Sequence, residues 1–169
     1  MNKLLSLSLA SLFAGAAFTS PLASQEIRVV PTADGTQHFI SDVSHDLDRE
    51  LGIIDLDNWR FRGGFAQVRF QVDPEGRAEN VTLYRRSGDP QVDRIAMKAV
   101  ERLDSIGELP VGYPDDQVIQ ANVILARSES QMASLNKQLK RVEANRIAQA
   151  AGKPGAPVLA LSIAMNPPS

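Results

Sequence analysis

Three stretches of this chain space their apolar residues as helices do, and three alternate them as strands do. From Gln37 to Leu51, Phe39, Val43, Leu47 and Leu51 recur every four residues. Ser41, Asp42, Ser44, Asp46 and Arg49 lie between them. That pattern predicts an amphipathic helix with one buried stripe, ending near Gly52. After Gly63-Gly64 the period shortens to two: Ala66, Val68, Phe70 and Val72 alternate with Gln67, Arg69 and Gln71. A strand with one buried and one wet face follows. Asp73-Pro74-Glu75-Gly76 is a tight turn, in which Pro74 presets φ and Gly76 accepts a positive φ without a Cβ clash. Residues 77 to 86 return as the second strand of a hairpin, with Val81 and Leu83 on its apolar face. Ala78 falls out of step and predicts a bulge near the turn.

The next helix begins with Asp89 at the N-cap and Pro90 in the first turn, where a missing N–H costs nothing. Val92, Ile95, Ala96, Ala99, Val100, Leu103 and Ile106 make its apolar face, and Gly107 closes it. Such a face is the expected lid on the hairpin. Residues 109 to 116 hold two prolines and a glycine and predict a loop. Val118 to Ala126 predicts a third strand, with Ile119, Ala121, Val123 and Leu125 inward and Gln120 and Asn122 outward. From Ser128 to Ala150, Met132, Leu135, Leu139 and Val142 mark a third helical stripe and so another helix. Gly152, Pro154, Gly155 and Pro157 break it. The apolar run Val158 to Met165 is open to two readings, an edge strand or a disordered end.

The continuous apolar run at the front changes the picture most. Lys3, then the uncharged run Leu4 to Phe18, then small residues up to Ser24 predict a signal peptide over residues 1–24. A retained membrane anchor is the alternative, but a spanning helix needs about 20 apolar residues and Pro21 interrupts the run first. The chain is therefore expected to be exported across the inner membrane, and the resemblance described below implies the periplasm as its location. Removing Lys3 leaves 17 basic side chains against 20 acidic ones, a net charge of −3. Nucleic-acid binding, which needs a basic footprint, is not expected. The chain has no cysteine, so disulfides and Cys-based metal or haem sites are excluded. About 145 mature residues suit one domain with extensions. The expected division is an extended lead (25–36), a core (37–126), a C-terminal helix (127–151) and a tail (152–169).

Taken together, Gly64 to Ala78, Asn80-Val81-Thr82-Leu83, Arg86-Ser87-Gly88 and Val92 to Val100 resemble the C-terminal domain of TonB. The resemblance covers residues 37 to 126. It implies an α+β fold: a small antiparallel three-stranded sheet packed by two helices, to which residues 128–150 add a helix. It also implies a protein-interaction module rather than an enzyme. The partner would be another envelope protein, an outer-membrane transporter segment among the candidates, captured as an added strand on the third strand. On that expectation the partner-binding edge is Val118, Gln120, Asn122 and Ile124. Exposed strand edges carry unpaired N–H and C=O groups that an extended peptide satisfies. The sequence departs from full TonB: it is read as lacking the retained membrane helix and a long Pro-rich spacer, Arg86 stands where the family has another serine before Ser87-Gly88, and the Pro-rich stretch after the helix is reduced to Leu109-Pro110 and Pro114. A homodimer, paired through residues 128–150 or edge to edge, and an energy transducer with a retained anchor are the alternatives.

Candidate chemistry is sparse. His38, Asp42 and His45 share one helical face, but three ligands at a helix start are more simply a solvated surface. No nucleophile elbow or phosphate-binding loop is present. No cofactor is expected. The residues singled out for structural roles are Asp73, Gly76, Ser87, Gly88, Asp89 and Asp93. Asp93 lies in a first helical turn, where the dipole favours a carboxylate, within reach of the Arg86-Ser87-Gly88 loop.

Overall fold

A computed structural model describes residues 33–54, 60–151 and 158–165. The expected signal peptide lies outside these residues. The element order is α1 (Ala33–Ile53), β1 (Gly64–Val72), β2 (Ala78–Arg85), α2 (Pro90–Glu101), β3 (Ile119–Leu125), α3 (Glu129–Ala150) and β4 (Leu159–Met165). The four strands form one sheet in the order β2-β1-β3-β4. β1 pairs antiparallel with both β2 and β3, whereas β3 and β4 run parallel. The fold is α+β, as expected. The sheet is four-stranded and mixed, where three antiparallel strands were expected. A parallel neighbour needs a long crossover, and α3 supplies it.

α1 starts at Ala33, four residues before the expected Gln37, and its stripe of Phe39, Val43, Leu47 and Leu51 is buried. α1 packs on β4 and α2, while α2 covers β1 and β2 on the same face. Between these helices and the sheet lies the main core, with Val43, Leu47, Leu51, Val68, Phe70, Ile95, Ala96 and Ile119 all essentially removed from water. Each large side chain there contributes about 1.5–3 kcal/mol through burial. α2 ends at Glu101, a turn earlier than its apolar spacing predicts. Leu103 and Ile106 are still buried, but on an irregular segment that docks on the hairpin turn. Ala78 N–H donates to Leu103 O (3.0 Å) and Ile106 N–H to Gly76 O (2.8 Å). That docking explains the glycine: Gly76 has φ +79°, and a Cβ there would lie 2.6 Å from the Ile106 carbonyl oxygen.

The hairpin carries two irregularities rather than one. The β1–β2 register shifts between Gln67 and Val68 and again between Arg69 and Gln71, and Asn80 adopts φ +53°. Ala78 itself is in register, opposite Val72, so the expected bulge sits two residues further along. α3 lies on the face of the sheet opposite α1 and α2. A second, smaller apolar cluster of Phe65, Ile124, Ala126, Leu135 and Leu139 holds it there.

Candidate functional site

The Ser87–Asp93 corner fixes where α2 meets the hairpin. Asp89 caps α2 with one carboxylate oxygen accepting from Gln91 N–H (2.9 Å). Its other oxygen accepts from Arg62 N–H (2.6 Å), which ties the entry of β1 to the same residue. Burial would raise its pKa, but the Arg62 and Gln91 amides outweigh that and hold it below the ordinary carboxylate value. Ser87 bridges: its hydroxyl donates to Asp89 O and accepts from Asp89 N–H. Asp93 accepts from Ser87 N–H (2.7 Å), and Arg86 stands 3.9 Å from its second oxygen. Gly88, at φ +88°, lets the chain reverse between them. Asp73 organises the hairpin turn by accepting from the Arg77 backbone N–H, which with the Arg77 guanidinium lowers its pKa against burial. These residues build a rigid corner and a rigid turn; their donors and acceptors are spent on one another.

The third-strand edge is the main correction. Val118, Gln120, Asn122 and Ile124 do turn their backbone groups away from β1, but towards β4. Leu159 N–H donates to Val118 O (3.2 Å) and Ala126 N–H to Met165 O (3.0 Å), bracketing a register that runs unbroken from Ile119↔Leu159 to Leu125↔Met165. The expected docking edge is therefore taken by the chain's own tail. The two expectations for that tail were an edge strand or a disordered end; it is an edge strand. Gln120 and Asn122, expected on a wet face, are buried beneath α3.

There they form a polar network that sequence reasoning missed. Gln67 Nε2 donates to Asn122 Oδ1 (2.7 Å) and to Glu143 Oε1 (2.8 Å). Gln120 Nε2 donates to the same two oxygens, at 3.0 and 2.9 Å. Asn122 Nδ2 donates to Ser162 Oγ (3.1 Å), and Arg146 closes on the other oxygen of Glu143. Arg69 donates to Gln120 Oε1 and stacks its guanidinium 3.4 Å from the centroid of the Tyr84 ring. The available signal was the pairing of two patterns: alternate polar residues on adjacent strands, and a Glu143/Arg146 pair on an otherwise apolar helix stripe.

With β3 enclosed, the open sheet edges among the described residues are those of β2 and β4. They differ in chemistry. β2 has two register shifts, a positive-φ Asn80, and Glu79 and Arg85 within the strand. Bulges and charges are what edge strands use to repel further pairing. β4 reads Leu-Ala-Leu-Ser-Ile-Ala-Met, with no charge, no proline and no register shift. Since Leu159 donates to β3 and Met165 accepts from it, backbone alternation turns Ala160, Ser162 and Ala164 outward.

Among the described residues no three His, Cys, Asp and Glu side chains are placed to hold a metal ion, so His38, Asp42 and His45 do not converge. An open cleft of about 1100 Å³ runs between the hairpin turn and the 106–116 loop; Glu79, Glu108, Asp115 and Asp116 line it beside Val72 and Tyr113. No described helix is long and apolar enough to cross a membrane. Residues 54–123 match the family model described as TonB C terminal. No curated protein matches the chain, and no solved structure does. The stretch from β1 into β3 is thus similar to a TonB C-terminal domain, and α3 and β4 lie beyond the match.

Proposed function

We propose that this protein is an envelope protein-interaction module that extends its sheet with a strand from its partner, and that the docking edge is the outer side of β4. One observation carries this reading. The sheet ends on one side in a bulged, charged strand and on the other in seven uncharged residues with three outward-facing sets of backbone groups. An edge of the second kind pairs readily with any extended segment that reaches it. The TonB C-terminal match supports the interaction class, and the leader-like first 24 residues support export to the periplasm. The guest expected is an extended, uncharged segment of an envelope protein, the class to which an outer-membrane transporter segment belongs. The role is binding, with no reaction carried out at the site.

A photo-crosslinking residue placed at Ala164 and, separately, at Thr82 tests this in the native envelope. Adducts from position 164 and none from position 82 are expected. Adducts confined to position 82, or absent from both, would sink the assignment of β4.

A further inference from the structure

The cleft between the hairpin turn and the 106–116 loop combines an apolar floor with walls of one charge. Val72, Leu109 and Tyr113 reach the floor from the margin of the main core. Val111 also lines the cleft and is 74% exposed, more than any other large apolar side chain among the described residues. The walls are tied in place. Tyr113 N–H donates to Pro110 O (3.2 Å) and Gln117 N–H to Pro114 O (3.0 Å), so the loop is a pair of tight turns. Gln71 Nε2 donates to Asp116 O (2.8 Å), which fastens the loop to β1, and Ile106 N–H fastens it to the hairpin turn through Gly76 O. A guest entering such a cleft has little of it left to order.

Every charged residue lining the cleft is acidic. Asp73 and Glu75 are paired with Arg77. Glu79, Glu108, Asp115 and Asp116 have no ion pair among the described residues. They stand on both walls, Glu79 on β2 and the other three on the loop. Like charges over a low-dielectric floor focus field lines into a cleft and concentrate cations there.

We infer that this cleft is a second docking site, for a segment of a partner protein in which lysine or arginine alternates with apolar residues. A metal ion needs convergent ligands, and among the described residues no such group exists. A small organic cation would leave much of about 1100 Å³ unfilled and the floor uncovered. An extended segment sends alternate side chains to opposite sides. Its apolar residues cover Val72, Leu109 and Val111, while its long cationic side chains reach up to carboxylates on either wall. No residue of β4 lines the cleft, so the site does not depend on how that edge is used.

The probe is a capped peptide of about six residues, lysine alternating with valine, long enough to span ~20 Å when extended. Titrated into the mature full-length chain and followed by backbone amide NMR, it should produce saturable shifts clustered at Val72, Glu79 and residues 108–116. Glutamine in place of its lysines, or serine in place of its valines, should weaken binding at least about fivefold. Raising ionic strength from roughly 0.01 to 1 M, which shortens the screening length from about 30 to 3 Å, should weaken it by at least about tenfold. Asp115→Asn combined with Asp116→Asn keeps the loop backbone bonds and should cost about fivefold. Glu129→Gln, a charge lost on α3 instead, should cost less than about twofold. The same spectra report that each variant is folded. Absence of saturable shifts, shifts outside the cleft, or equal weakening by Glu129→Gln overturns the inference. Calcium chloride alone reproducing the shifts would make the cleft a cation site, and their growth with protein concentration in the absence of peptide would give it to a second copy; either overturns it too. None of these outcomes bears on the photo-adducts expected from Ala164.

Discussion

The two faces of the sheet are built on opposite principles. Under α1 and α2 the contact is apolar, with Leu47, Val68, Phe70, Ile95 and Ile119 fully enclosed, apart from the buried Glu50 that accepts from Arg102 at the end of α2. Under α3 a small apolar cluster at the Phe65 end gives way to amides and a carboxylate hydrogen-bonded across β1, β3 and β4. An apolar interface is non-directional and scales with area. A polar one contributes little net stability per bond but is costly to leave half-made, so it selects one arrangement. The first face accordingly holds the domain together. The second specifies where α3 sits, and through α3 delivers β4 alongside β3.

The widest gap between the faces should appear in core truncation. Leu47→Ala is expected to cost about 2–5 kcal/mol and lower the midpoint of global unfolding in urea. If it costs less than its counterpart on the other face, the division fails. Glu143→Leu should come next. It leaves Gln67, Gln120 and Arg146 short of an acceptor, at about 1–3 kcal/mol. Its signature is local: amide exchange should quicken in α3 and β4 while the β1–β2 hairpin keeps its protection. Uniform quickening would show that the faces are one cooperative unit. Asp93→Ala, on the α2 corner, is expected to cost about 1 kcal/mol, the scale of a capping interaction, and an unchanged melting temperature would remove that role.

The smallest effect separates charge from geometry at the same corner. Asp89 has a pKa held below its unfolded value of 3.8, so its contribution is complete above that pH and drains away as acid protonates the folded carboxylate. Asp89→Asn keeps a cap oxygen but cannot titrate. Its urea midpoint should therefore fall less steeply than the parent's below about pH 4. Parallel curves for the two proteins would show that the charge contributes nothing.

Much of the first face was legible in the residues. The four-residue stripe of α1, the alternation through β1, the Asp-Pro cap of α2 and the glycine at position 76 are local signals, and each landed within a turn of its place. Where local signals misled, a tertiary contact intervened. Leu103 and Ile106 continue a helical spacing, yet the chain leaves the helix so that its backbone can bond to Gly76 and Ala78. The first 24 residues, with their leader pattern, lie outside the described structure.

What the sequence determined by itself was the first six elements and which stripe of each is apolar, because periodicity is a property of consecutive residues. Which strand neighbours which, and which polar residues end up dry, depends on backbone groups far apart in the chain meeting. The alternation of Gln120 and Asn122 is the same whether water or α3 covers them, and the run from Leu159 to Met165 is apolar whether it pairs or not. Only the packing of α3 across the sheet closed the edge at β3 and opened another at β4.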